Sequence, residues 1–389
     1  MELYNGNGAV SNISVRINNR NRVLRFLFDV KSATQLEIKS TLNLSGPTVT
    51  QTLQFFKERG LLADGEEIPS VGGRKPRPIV FCYDAYHAVG VEIRRHHIDI
   101  SVLDLHGYTV VQRTFRLLFE SSEAYWRAVN DRVQQVLESR REKQPILGVC
   151  VGFPGELSPS GDKIARATVL GVSDLPVASI QQGFDMPVHV EYGANAAAFG
   201  MVWRRKDMQD AVYVIITDNG VAGAVILDNR IYRGKSGKPG AFGHIVLEPG
   251  GELCSCGGRG CWASYCSLTS LTQMEEPNLH DFFERLNAGD AACVARWDGY
   301  LSRLAQGLAN IYLSFDVDII IGGKLAPYLE PWMEELRKRI SAYPVLVQES
   351  PNVLLNTESE HPIAEGAAMM LIDSFLNDEL AEMRFETLK

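Results

Sequence analysis

The apolar positions of this chain change period once, and that change divides it. From Asn18 to Phe28, residues Val23, Leu24, Leu27 and Phe28 recur at helical spacing with Arg20, Arg22 and Arg25 between them. A second helix is predicted over roughly 32–42, with Ser32 or Thr34 as its cap and Leu36, Ile38 and Leu42 as its apolar contacts. Asn43-Leu44-Ser45 makes a turn. A third helix starts near Ser45, places Pro47 where a missing N–H costs nothing, and ends at Gly60. Val49, Leu53 and Phe56 fall at i, i+4, i+7 of that helix and should face a core. Leu61-Leu62, Asp64-Gly65 and Ile68 then predict a β-hairpin wing, leading into Val71-Gly72-Gly73-Arg74-Lys75-Pro76-Arg77-Pro78. From Ile79 onward, short apolar strands alternate with helices. Strands over 88–93, 98–104 and 108–111 predict an antiparallel meander, and a helix follows around 122–143. A buried strand over 146–155, a strand over 188–191 and an alanine-rich helix from Ala194 come next, and further strands at 211–217 and 222–227 begin a second set. A duplicated meander with helices implies two related lobes and a cleft between them.

Three helices followed by a wing suggest a helix-turn-helix. Ser45, Thr48, Thr50, Gln51 and Gln54 carry short hydroxyl and amide side chains that reach base edges and phosphates in a major groove. A plain three-helix bundle with a polar face is the alternative. Arg74, Lys75 and Arg77, spaced by glycine and proline, suit insertion along a narrow minor groove, and the same strip reads equally as an interdomain linker. Charge supports a nucleic-acid head: residues 1–80 hold 11 Lys+Arg against 7 Asp+Glu, a net of +4, so the rest of the −8 chain carries −12. No run approaches the roughly 18 apolar residues of a membrane span. With no basic-then-apolar leader, the chain is expected in the cytoplasm, without a membrane partner.

Four of the seven cysteines, Cys254, Cys256, Cys261 and Cys266, fall in one short segment. In a reducing compartment such crowding points to metal rather than to bridges, with free cysteines in a flexible loop as the alternative. Cys266 reads as a buried small residue or as a substitute ligand.

Taken in order, Gly72-Gly73-Arg74-Lys75-Pro76, Gly152-Phe153-Pro154-Gly155, Ala194-Asn195-Ala196-Ala197-Ala198, Gly240-x-x-Gly243-His244, Cys254-x-Cys256-Gly257-x-x-Gly260-Cys261 and Ile319-Ile320-Ile321-Gly322-Gly323 resemble the ROK family of repressors and sugar kinases. The resemblance is to its NagC/Mlc/XylR-like repressor branch. It implies an α/β chain with a winged helix-turn-helix over 1–80 and a two-lobed, actin-like or ribonuclease H-like sugar-kinase domain. The first lobe would span 81–193, completed by a C-terminal helix over 362–389. The second would span 194–361, with the zinc site and an oligomerisation surface. The family's spacing implies His244 with Cys254, Cys256 and Cys261 as the donor set of that closed, structural Zn2+ site. By resemblance, Gly155, Asn195 and His244 would line an effector site, and zinc would couple cleft to head. The implied function is repression of carbohydrate-related genes by a homodimer or homotetramer on a pseudo-palindromic operator, under a sugar-like effector.

Departures from the kinase pattern are specific. The phosphate loop of the kinases reads Glu92-Ile93-Arg94-Arg95 here, and their catalytic Asp is Gly193, which accepts no proton. No kinase activity is therefore expected. Two carboxylates that hold hexose hydroxyls are Ala241 and Ala263, each a loss of roughly 1–3 kcal/mol. A sugar kinase with an added head, and a regulator governed by a protein partner, are the other readings.

Overall fold

The computed structural model describes residues 12–67, 77–205, 208, 210–238, 240–346 and 351–377. Helix α1 (Asn12–Val30) carries Val23, Leu24, Leu27 and Phe28 into the core, as their spacing predicts. Ser32–Ala33 then form a short strand, β1, rather than the first turn of the next helix. Lys31 turns the chain at a left-handed φ of 67°, and Ser32 and Ala33 pair with Val80 and Ile79. Helix α2 (Gln35–Leu42) consequently starts at Thr34, whose hydroxyl accepts the Glu37 N–H while the Glu37 carboxylate accepts the Thr34 N–H at 2.7 Å. Ile38 points inward, so Leu36, about 200° around the helix, is 73% exposed and not the apolar contact expected. Helix α3 (Gly46–Lys57) is capped by Ser45 and buries Val49, Thr52, Leu53 and Phe56.

The wing pairs β2 (Leu62–Asp64) with β3 (Ile79–Phe81) in a sheet of order β1-β3-β2. Its return strand therefore follows the basic strip, which in chain order joins the two wing strands instead of leading out of the head. The core also ignores a boundary at residue 80. Val23, Leu27, Val49, Phe56, Ile79 and Phe81 belong to one apolar cluster with Ala88, Leu103, Ala368, Ile372 and Phe375. The arginines of α1 serve this packing: the Arg20 and Arg59 guanidinium groups stack at 3.5 and 3.6 Å from the Phe55 ring centre. Arg22 donates to the Leu42 carbonyl at 2.8 Å.

In the first lobe, β4 (His87–Ile93), β5 (His97–Asp104) and β6 (Thr109–Arg116) form the expected meander. Helix α4 (Glu123–Glu138), strand β7 (Ile146–Phe153), a small sheet of β8 (Glu156–Leu157), β9 (Lys163–Ala167) and β10 (Val172–Pro176), helix α5 (Val177–Gln181) and β11 (Val188–Tyr192) complete it. The large sheet has order β11-β7-β4-β5-β6. Helix α6 (Gly193–Arg204) leads to the second lobe, where β12 (Ala211–Thr217), β13 (Gly220–Leu227) and β14 (Arg230–Ile231) repeat the meander. Helices α7 (Trp262–Cys266), α8 (Leu268–Thr272), α9 (Leu279–Asn287) and α10 (Ala291–Phe315) precede β15 (Asp318–Gly322). Helices α11 (Ala326–Leu329) and α12 (Met333–Ser341) and strand β16 (Val353–Leu355) close the sheet as β14-β13-β12-β15-β16. Both sheets thus run from a meander into two parallel strands, the predicted duplication.

Helix α13 (Pro362–Asn377) returns to the first lobe. Alternation along β4 sends Val89, Val91 and Ile93 toward α4, leaving Ala88 and Gly90 for α13. The approach there is backbone on backbone. A Cβ at Gly90 would lie 1.7 Å from the Ala364 carbonyl oxygen, and one at Gly366 would lie 1.8 Å from that of Ala196 on α6. Overpacking of this kind has no flexible side chain to absorb it. Gly366→Ala is expected to cost about 3 kcal/mol or more in urea denaturation. Gly299→Ala, inside α10 with nothing nearer than the Arg303 guanidinium at 3.8 Å, is expected to gain about 0.5–1 kcal/mol.

Candidate functional site

The polar outer face of α3 is set by the burial of its opposite side. With Val49, Thr52, Leu53 and Phe56 inside, Ser45, Thr50, Gln51 and Gln54 are exposed and Thr48 is half-buried. Several of these groups are already engaged. The Ser45 hydroxyl caps α3 and lies 2.8 Å from that of Thr48. Thr50 donates to the Gly46 carbonyl at 3.0 Å and accepts from the Gln35 amide at 2.5 Å. Gln54 donates to Glu58 at 3.0 Å. Arg77 is exposed and paired with Glu67 at 3.0 Å across the base of the wing, whereas Arg74 and Lys75 lie outside the described residues.

Between the lobes, Gly193 does share a small cavity with Glu92, Arg94, Arg95, Pro154, Asp218 and Ile363. That cavity has a volume of about 40 Å³, and the one beside it, reaching Lys324 and Glu360, about 30 Å³. Such volumes suit a water molecule; ligand pockets run to roughly 300–1,000 Å³. Arg94 lines both, and also an adjoining cavity of about 240 Å³. Its guanidinium lies 2.7 Å from Asp99 in its own lobe and 3.0 Å from Asp218 on the turn between β12 and β13. Arg95 turns outward to the Val169 carbonyl at 2.8 Å. Asp99 is wholly buried, and also meets His361 at 3.3 Å and the Thr114 hydroxyl. Burial alone would raise the Asp99 carboxyl, but His361, Arg94 and Thr114 outweigh it and hold it well below the usual carboxylate range. Glu92 goes the other way. Burial and the neighbouring Asp99 charge push it up to about 7, against the pull of Arg94 and Lys324.

Two further pairs cross the same mouth of the cleft, His96 with Glu275 at 3.1 Å and Arg116 with Glu276 at 2.7 Å. Asp218, Asp99 and His361 were not singled out from the sequence as partners of Arg94. Nothing in the chain marks a contact spanning 124 positions.

The effector residues expected from resemblance are not gathered around these cavities. Gly155 packs against β9, where a Cβ would lie 2.6 Å from that of Ala167. Asn195 is buried and donates to Glu191 at 3.1 Å, and Glu191 is itself held by Arg233 at 2.6 and 3.0 Å. His244 belongs instead to the sulfur cluster. The donor atoms of His244, Cys254, Cys256 and Cys261 all lie within 4.8 Å of one another. His244 Nδ1 is 3.7 Å from Cys254 Sγ, and Cys256 Sγ is 3.8 Å from Cys261 Sγ. A tetrahedral centre with Zn–S near 2.3 Å and Zn–N near 2.0 Å sets these separations at about 3.6 and 3.8 Å, so the donors fit such an ion.

Positive φ values at Gly257 and Gly260 fold the loop, and a Cβ at Gly260 would lie 1.7 Å from the Glu248 carbonyl oxygen. Burial and the adjacent sulfurs push the Cys261 thiol up to about 12, a crowding that a bound cation relieves. Cys266 takes the buried reading, with its sulfur 3.8 Å from the Tyr300 carbonyl. The loop touches the other lobe through Ser255 and Thr168 at 3.4 Å.

A model of the ROK family matches residues 88–374. The chain belongs to the ROK family. Its relatives include the xylose repressor of Bacillus subtilis strain 168, 25% identical over 371 residues that cover 92% of this chain and 96% of that protein. NagC of Escherichia coli K12, a DNA-binding transcriptional dual regulator, is 22% identical over 407 residues, covering 98% and 99%. Among solved structures, a ROK family transcriptional regulator homologous to E. coli Mlc has the same fold across 95% of this chain and 99% of its own, at a TM-score of 0.73 and 18% identity. A ROK family glucokinase from Streptomyces griseus, solved with glucose and AMPPNP, shares the fold over a smaller part of the chain. It covers 73% of this chain and 98% of its own, at a TM-score of 0.63 and 22% identity.

Removing Arg94 would leave Asp99 buried without its closest cation. Arg94→Met is expected to cost about 3–5 kcal/mol in urea denaturation, with part of that loss recovered by adding Asp99→Asn.

Proposed function

We propose that this ROK family chain is a repressor of carbohydrate-related genes that acts in the cytoplasm as a homodimer or homotetramer on a pseudo-palindromic operator. The observation that carries the reading is the polar outer face of α3 on a winged helix-turn-helix whose core is continuous with a ROK body. The full-length similarity to the xylose repressor and NagC supports it. Two heads on one symmetric assembly would meet two half-sites, with their spacing set by the assembly. The body acts as a sensor for a small sugar-like effector, not as a phosphotransferase. Gly193 offers no proton acceptor, and Arg94 with Asp218 fills the neighbouring space. A kinase carrying a head is the competing reading, and the likeness to the glucokinase, which is one of fold, does not favour it. His244, Cys254, Cys256 and Cys261 hold a structural zinc ion, which supplies no step of a reaction and ties the loop into one shape next to Thr168.

Duplexes from the flanks of its own gene and of nearby carbohydrate genes should bind the full chain at nanomolar concentrations. Affinity should fall by roughly 10³-fold or more between 50 and 200 mM salt in fluorescence anisotropy, as counterion release requires. A sugar panel should shift that affinity, and the same panel with ATP should yield no sugar phosphate. Salt-insensitive binding, or ATP-dependent phosphorylation, defeats the proposal. Metal analysis of purified protein should find about one zinc per chain. Cys256→Ser should release it and lower the melting temperature, while Cys293→Ser should keep it.

A further inference from the structure

Which base the head selects can be inferred from the hydrogen bonds already made on α3. An amide or hydroxyl spent inside the protein is not free to discriminate a base pair. The Ser45 and Thr48 hydroxyls are bonded to each other at the cap. Thr50 has given its proton to the Gly46 carbonyl and receives the Gln35 amide. The Gln54 amide nitrogen is donated to Glu58. Among the described residues of this face, Gln51 is the one exposed amide with no partner in the protein. It sits in the second turn of α3, roughly 150° around the helix from the mean direction of Val49, Thr52, Leu53 and Phe56. Its side chain therefore leads outward, on the half of the helix that enters a major groove first.

We propose that Gln51 is the base-specifying residue of this helix and that it selects an adenine in each half-site. The inference rests on the reading above that α3 enters a major groove. A primary amide presents one donor and one acceptor side by side. Adenine offers the complementary pair, an acceptor at N7 and a donor at N6, whereas guanine offers two acceptors. The pairing discriminates by roughly 5- to 150-fold against another base pair. Gln35 and Thr50 are positioning residues. Their mutual bond fixes α2 against α3 and so fixes the angle at which Gln51 is presented.

The test is selection of binding sites from a pool of random duplexes with the full chain and with Gln51→Ala and Gln51→Glu, followed by titration of single-base variants of the winning duplex. The expected motif has one adenine per half-site whose preference falls below about twofold in Gln51→Ala, while the other positions and the salt slope are retained. Gln51→Glu, an acceptor only, should turn that position toward cytosine, whose N4 donates. An adenine preference unchanged in both variants, or a motif with no adenine that responds to them, overturns the assignment and leaves DNA binding standing. Failure of the wild-type chain to enrich any duplex overturns the operator reading as well.

Discussion

Everything in this molecule hangs on how closely α13 can lie against its neighbours. Gly90 on β4 and Gly366 on α13 allow main chain to meet main chain, at separations where a single methyl group would collide with the Ala364 or Ala196 carbonyl. That approach seats α13 in the first lobe while it grips α6, the helix that opens the second lobe. The far end of α13 receives the head. Arg25 of α1 meets Asp373 at 3.3 Å, and Phe375 lies 5.4 Å from Tyr86. Phe28 of α1 packs edge-on against Trp203 of α6 at 5.6 Å, and its carbonyl accepts the Tyr83 hydroxyl. One helix is therefore common to the head, the first lobe and the crossing into the second.

This arrangement gives the proposed repressor a physical route from cleft to DNA. Arg94 and Asp218 tie the lobes at the point where the strands of both sheets end, and His361 beside Asp99 stands one residue before α13. A ligand that binds better with the lobes at another angle must trade against that charged contact, and it can shift the equilibrium only by its difference in affinity for the two states. The Arg94, Asp99 and His361 contacts lead to the start of α13, and Asp373 near its other end meets Arg25 of α1. The loop that carries Cys254, Cys256 and Cys261 reaches the first lobe by a second path, through Ser255 and Thr168.

Much of this was legible in the sequence. The periods gave the helices of the head and both meanders, and the family resemblance gave the C-terminal helix. The buried residues of α3 matched their i, i+4, i+7 spacing, and the spacing of His244, Cys254, Cys256 and Cys261 foretold a cluster that the coordinates assemble. What escaped was set by long-range pairing. Ser32 and Ala33 carry good capping and helical residues, yet a strand 46 positions later recruits them as β1. The same strand, Ile79–Phe81, pairs with Leu62–Asp64, so the basic strip falls in chain order between two paired strands. Leu36 looked like a core residue and is exposed, because Ile38 fixed which side of α2 faces in. Asp99 and Asp218 gave no local signal at all, since a carboxylate's partner is decided by which strands become neighbours.

The claim that head and body share one core is open to a direct measurement. Native-state amide hydrogen exchange on the full chain reports the free energy at which each helix opens. If the account is right, the central turns of α1 and of α13 exchange with the same free energy, in one cooperative opening. Exchange of α1 at a distinctly lower free energy, with α13 still protected, would mean that the head is an independent domain tethered to the body.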